Sequence, residues 1–188
     1  MKKSGILMIL ITVGILTTAF SPIGDKLVSS ETHIKFFSTT PAEDIEANNF
    51  KSVSTFNLAT GELVFSVPMQ SFEFEKSMMQ KHFNSDKFLD TKSNPKATLK
   101  ATLSNPEKVD FNKSGVYSAL VTGDLTINGV TKAIDENVTF EVKGTEIILN
   151  SKLNISLADY KIAFEKGKPS TNIAKTVEVT VIAKYHKS

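Results

Sequence analysis

The side chains best suited to acid–base or metal chemistry are three histidines, His33, His82 and His186, and they are scattered along the chain. No pair has metal-ligand spacing, and the chain has no Cys to complete a zinc set. It contains neither a nucleophile elbow nor a phosphate-cradling Gly-rich loop. Ser and Thr are abundant, but they fall mostly at alternate positions of strand-like segments, as on a solvated sheet face. Asn112-Lys113-Ser114, Asn137-Val138-Thr139 and Asn154-Ile155-Ser156 match the glycosylation pattern; two of them lie inside expected strands, and such triplets arise easily by chance. Nothing here speaks positively for catalysis. The expectation is a protein without enzymatic activity, metal or cofactor.

Charge excludes further classes. The chain opens on Lys2 and Lys3, runs apolar from Gly5 to Leu16 and then turns to Thr17, Thr18 and Ala19. These are the three parts of a secretory signal peptide, with Thr17-x-Ala19 as the cleavage site. The apolar run is shorter than the roughly 20 residues a spanning helix needs. Residues 1–19 are therefore expected to leave, with residues 20–188 forming one periplasmic or secreted domain and no stable membrane span. Without Lys2 and Lys3, 20 lysines face 20 acidic residues, so the basic pI of the whole chain says nothing about partners. All 22 basic residues are Lys. Bidentate recognition of phosphates and base edges leans on Arg, so no nucleic-acid partner is expected. Absence of Cys also removes disulfides as a stabiliser and a lipid as an anchor.

The elements that must position any site are mainly strands. Tyr117–Ile127 and Val130–Val142 alternate around Asn128-Gly129, the strongest short-range hairpin signal, since both turn residues tolerate positive φ. Tyr117, Ala119, Val121, Leu125 and Ile127 share one face, as do Ile134, Val138, Phe140 and Val142. Further period-2 segments are Thr32–Ser38, Lys51–Leu58, Glu62–Met69, Ala97–Leu103, Glu146–Leu157 and the final Val177–Tyr185. About eight strands with turn signals between them predict an all-β sandwich or barrel. Two places break the rhythm. Thr40-Pro41-Ala42-Glu43 reads as a capping box that opens a short helix from Pro41 to about Asn48. Glu75 to about Phe83 carries Met78, Met79, His82 and Phe83 at helical spacing, behind Phe72 and Phe74. This second helix either closes one end of a barrel or covers an open sheet edge; its Met content, suited to an adaptable apolar surface, favours the lid.

Three blocks resemble the YceI-like family of periplasmic polyisoprenoid-binding proteins. Gly123-Asp124-Leu125-Thr126-Ile127-Asn128-Gly129-Val130-Thr131-Lys132 is similar to the family's G-D-L-T-I-x-G-V-T-K run. His82-Phe83, followed by Phe88-Leu89-Asp90 and Pro95, resembles its H-L-x-x-x-x-F-F-D-x-x-x-x-P segment. Asp159-Tyr160-x-Ile162 and Lys175-x-Val177-x-Val179 resemble its closing pieces. The chain departs from the pattern at Glu31, where the family often has His, at Asn84, where a basic residue is common, and at Leu157-Ala158, where an Arg is missing. Absence of Trp separates it from true lipocalins.

The resemblance implies an antiparallel, lipocalin-like β-barrel of about eight strands with one or two short helices. It implies a tunnel holding a long apolar lipid, of isoprenoid or fatty-acyl type, as the partner, and is compatible with a homodimer. A barrel of this size either fills its interior with side chains or holds one small ligand. The inward-facing and lid residues expected to touch a ligand are Phe36, Phe65, Val67, Phe72, Phe74, Met78, Met79, His82, Phe83, Phe88, Leu99, Ala119, Val121, Leu125, Val138, Phe140, Leu153 and Ile155. A β-sandwich binding a carbohydrate or protein is the alternative, but it would expose aromatics on a flat face.

Overall fold

The computed structural model describes residues 26–41, 43–162, 164–165, 168–169 and 173–187. Residues 1–19, read as the signal peptide, lie outside them. Among the described residues there are thirteen strands and one α-helix: β1 (Lys26–Val28), β2 (Glu31–Thr39), β3 (Asp44–Asn49), β4 (Val53–Asn57), β5 (Glu62–Pro68), β6 (Glu73–Phe74), α1 (Ser77–Asn84), β7 (Lys96–Leu103), β8 (Gly115–Ile127), β9 (Val130–Lys143), β10 (Glu146–Ser156), β11 (Phe164–Glu165), β12 (Lys168–Pro169) and β13 (Thr176–His186). Eleven strands make one antiparallel sheet in the order β1-β4-β5-β7-β8-β9-β10-β13-β2-β3-β6. The pair β11–β12 stands apart.

The sheet rolls up because β1, at one end, and β2, third from the other, belong to one short segment. β1 pairs with β4, while β2, which follows after two residues, pairs with β13. Between them, Ser29 N–H donates to the Ser54 carbonyl (2.8 Å) and Ser30 N–H to the Lys184 carbonyl (2.9 Å). One continuous segment thus bridges β4 to β13 and closes the ring. The wall is β4, β5, β7, β8, β9, β10, β13 and β2, an antiparallel barrel, which decides between the sandwich and the barrel that the alternation left open. β3 and β6 extend from β2 as a flap, tied back where Asn49 Nδ2 donates to the Pro68 carbonyl (2.8 Å).

The β8–β9 hairpin turns at Asn128 (φ 51°) and Gly129 (φ 70°), as a type I′ turn requires. Asn128 also braces the tip: its Nδ2 donates to the Tyr160 carbonyl (3.1 Å), and its Oδ1 accepts from Asn94 Nδ2 (2.9 Å). At Gly123 the neighbouring strand comes so close that an added Cβ would lie 2.2 Å from the Lys100 carbonyl oxygen and 2.4 Å from Ala101 Cα. Only glycine admits that approach.

The expected helix from Pro41 to Asn48 is not formed. Glu43 N–H does reach Thr40 Oγ1 (3.2 Å), as in a capping box. The same bond, with Thr40 N–H on the Glu43 carbonyl (3.1 Å), closes a hairpin loop instead, and Thr39 pairs with Asp44. Alternation then decides the outcome, because Ala47 and Asn49 are buried on one face of β3.

Candidate functional site

The barrel interior divides into two clusters. At one end Phe56 stacks on Phe140 with 5.4 Å between ring centroids, and Phe111 meets both edge-on at 5.2 and 5.3 Å. Tyr185 closes the stack at 5.8 Å from Phe56, and its hydroxyl shares a 2.8 Å hydrogen bond with Ser54. Burial pushes the Tyr185 phenol up to about 12, so it stays neutral. Ala119, Val142, Ile147 and Ala183 complete this packing. This end is solid.

The other end is hollow. A cavity of about 1200 Å³ runs from the floor formed by Leu63, Phe65, Val121, Val138 and Leu149 toward α1. β2 and β3 contribute Ile34, Phe36 and Ile45; β5 and β7 contribute Val67, Ala97 and Leu99; β8 and β9 contribute Leu125, Ile127 and Ile134. The opposite wall is Leu153 and Ile155 of β10 with Val177, Val179 and Val181 of β13. Strand alternation explains the uniformity, since every second residue faces in.

An aromatic cap covers this hollow. Phe83 of α1 stacks on Phe36 (5.6 Å) and meets Phe72, Phe74 and Phe88 at 5.5, 5.1 and 6.2 Å. Because Phe74 lies on β6, the helix both caps the cavity and packs against the edge strand; the two roles weighed from sequence coexist. Met79 is half-buried at the cavity, whereas Met78 is 68 % exposed at its rim. His82, Lys81, Asp86 and Lys87 are exposed beside it, marking where the cavity meets solvent. Lys76 and Glu43 form a 3.0 Å ion pair from the flank of α1 to the start of β3, which raises the Lys76 pKa chiefly through the hydrogen bond. So exposed a pair adds little stability.

Of the residues expected to touch a ligand, Phe36, Phe65, Val67, Phe72, Phe74, Met78, Met79, His82, Phe83, Phe88, Leu99, Val121, Leu125, Val138, Leu153 and Ile155 line the cavity. Ala119 and Phe140 do not: both face inward, but at the solid end. Alternation fixes the face of a residue, not its depth along the barrel. Glu136 and Ser151 line the cavity too; being polar, they carry no apolar signal in the sequence, although they continue the inward registers Ile134–Val138 and Leu149–Leu153. Among the described residues no group of His, Cys, Asp and Glu is placed to hold a metal ion, and no helix is long and apolar enough to cross a membrane.

Solved structures share this architecture. A polyisoprenoid binding domain from Saccharophagus degradans superposes with a TM-score of 0.73 at 16 % identity, covering 87 % of this chain and 99 % of that one. Burkholderia cenocepacia BcnA gives 0.67 at 18 % identity, covering 81 % and 95 %. A Campylobacter jejuni YceI protein gives 0.53 at 19 %, covering 73 % and 81 %. At these identities the likeness is one of fold. In sequence, UPF0312 proteins of Pseudomonas putida strains W619 and GB-1 are each 31 % identical over 107 residues, 54 % of this chain. The chain spans about half the length of these curated relatives. The YceI-like domain itself matches residues 26–185, nearly every described residue, and the chain belongs to that family.

Proposed function

We propose that this protein binds a single long apolar chain, of isoprenoid or fatty-acyl type, in the capped cavity and carries, stores or sequesters it without chemically changing it. One observation carries the reading: a hollow of about 1200 Å³ walled mainly by aliphatic and aromatic side chains, with its charged residues gathered mostly beside α1. Such a space wastes packing unless hydrocarbon fills it. Each buried methylene contributes about 0.8 kcal/mol, so roughly fifteen carbons gain on the order of 12 kcal/mol gross. Association and ordering cost about 4–15 kcal/mol, so affinity comes from the length of chain buried. The Saccharophagus degradans neighbour, a polyisoprenoid binding domain by name, supports the ligand class. Reading residues 1–19 as a cleaved signal places the carrier in the periplasm or outside the cell.

Native mass spectrometry of purified protein, followed by organic extraction, should reveal a co-purified hydrocarbon-rich ligand. Val179→Trp, which fills the cavity from β13, should lower ligand occupancy at least about tenfold while the protein stays folded. Undiminished occupancy in a folded Val179→Trp protein would place the ligand elsewhere.

A further inference from the structure

Four polar strand residues line the cavity, Ser38, Thr98, Glu136 and Ser151, and the last two flank a structural discontinuity. β9 and β10 pair from Lys143↔Glu146 down to Val138↔Ser151, where the ladder stops. β9 continues for eight residues beyond that point without β10 beside it, while remaining paired to β8 down to Val130. Glu136 is the first inward-facing residue past the break and lies directly across from Val121 on β8. Ser151 is the last inward-facing residue of β10 before it. Both line the cavity. They sit at mid-depth: Val121, Val138 and Leu149 belong to the solid-end cluster, whereas Leu125 and Ile155 pack with the open-end cluster.

Glu136 makes no hydrogen bond or ion pair with any described residue, and neither does the Ser151 hydroxyl. The other charged groups on the cavity, Glu43, Lys76, Lys81, Asp86 and Lys87, cluster at the helix end. Loss of hydration, with the charge of Asp135 adding to it, holds the Glu136 carboxyl above the usual carboxylate range. A carboxylate on an apolar wall with no partner favours a donor and repels a second anion.

We propose that Glu136 and Ser151 form the end-group contact of the lipid site, selecting single-chain ligands whose polar end donates hydrogen bonds and is not anionic, an alcohol or amine rather than a carboxylate. This rests on the lipid-binding reading above. The carboxylate accepts the ligand's O–H or N–H, and the Ser151 hydroxyl is free to turn toward the same end. The chain then extends into the hollow beneath α1.

The test compares dodecanol, dodecylamine and dodecanoate with the delipidated full chain at neutral pH, below their micellar concentrations, by displacement of a fluorescent apolar probe. The alcohol and amine should bind at least about tenfold more tightly than the carboxylate. Glu136→Leu should bring the three ligands within about threefold of one another. Glu136→Gln keeps a hydrogen-bonding group without the charge; it should relieve the penalty on dodecanoate while retaining dodecanol. Equal binding of all three by the unmodified protein, or an unchanged order in Glu136→Leu, overturns the end-group proposal and leaves the lipid cavity standing. Failure of all three to displace the probe overturns the lipid reading and this proposal together.

Discussion

Gly123 sits where two strands pass too closely for any side chain. Its absent Cβ would fall 2.6 Å from Ala101 Cβ and closer still to the Lys100 carbonyl. The obstruction is backbone, which cannot swing aside, so Gly123→Ala must push β8 away from β7. The cost should be about 3 kcal/mol, read as a lower denaturant midpoint at unchanged slope. A loss under about 0.5 kcal/mol would mean the strands separate freely there. Tyr185 shows the opposite tactic, a polar atom buried safely because Ser54 meets it. The residue scale is also where sequence reading falls short. Gly123 reads there only as the first residue of the Gly123–Lys132 run, because close approach is a property of two strands. Phe140 reads as tunnel wall because alternation shows which way it points. That it packs against Phe56 and Phe111 depends on a partner in β4 and a loop far along the chain.

Elements were more legible. Period-2 runs and the Asn128-Gly129 turn locate all eight wall strands, since each signal is local and one face is dry. Thr40–Asn49 misled because one side-chain bond serves both a helix cap and a hairpin loop, and the choice falls to burial of Ala47 and Asn49. The capping helix is visible as helical spacing, and the sequence offers the barrel end and an open sheet edge as alternatives; that it serves both depends on Phe36 and Phe74 meeting at Phe83. Phe83 is locked among Phe36, Phe72, Phe74 and Phe88, so removing it does more than open a lid. Phe83→Ala should cost about 3 kcal/mol of stability as well as retention. Met79 touches the cavity from a half-buried position. Met79→Ala should therefore speed lipid release several-fold, measured by stopped-flow transfer to vesicles, with a melting temperature lowered by less than about 3 °C. Equal release rates would remove α1 as the gate.

For the whole molecule, a solid end and a hollow end imply that the proposed ligand would stabilise the two ends unequally. The aromatic stack around Phe56 and Phe140 is complete by itself, whereas the hollow gains its missing contacts only when filled. A ligand at about a hundred times its dissociation constant adds about 2.7 kcal/mol, which should raise the melting temperature by about 5–10 °C over the extracted protein. Calorimetry of the same sample before and after extraction gives this directly, and coincident transitions would contradict selective binding to the folded state. The bridging segment Lys26–Thr39 has a kinetic consequence. β8 and β9 can zip from their own turn, but β2 meets β13 only when opposite ends of the sequence find each other. Ring closure thus falls late in folding, where the loop entropy is largest. No enclosed space exists before that step. A bound lipid should therefore leave the refolding rate nearly unchanged and act by slowing unfolding, so that the proposed ligand would brake the protein's own decay.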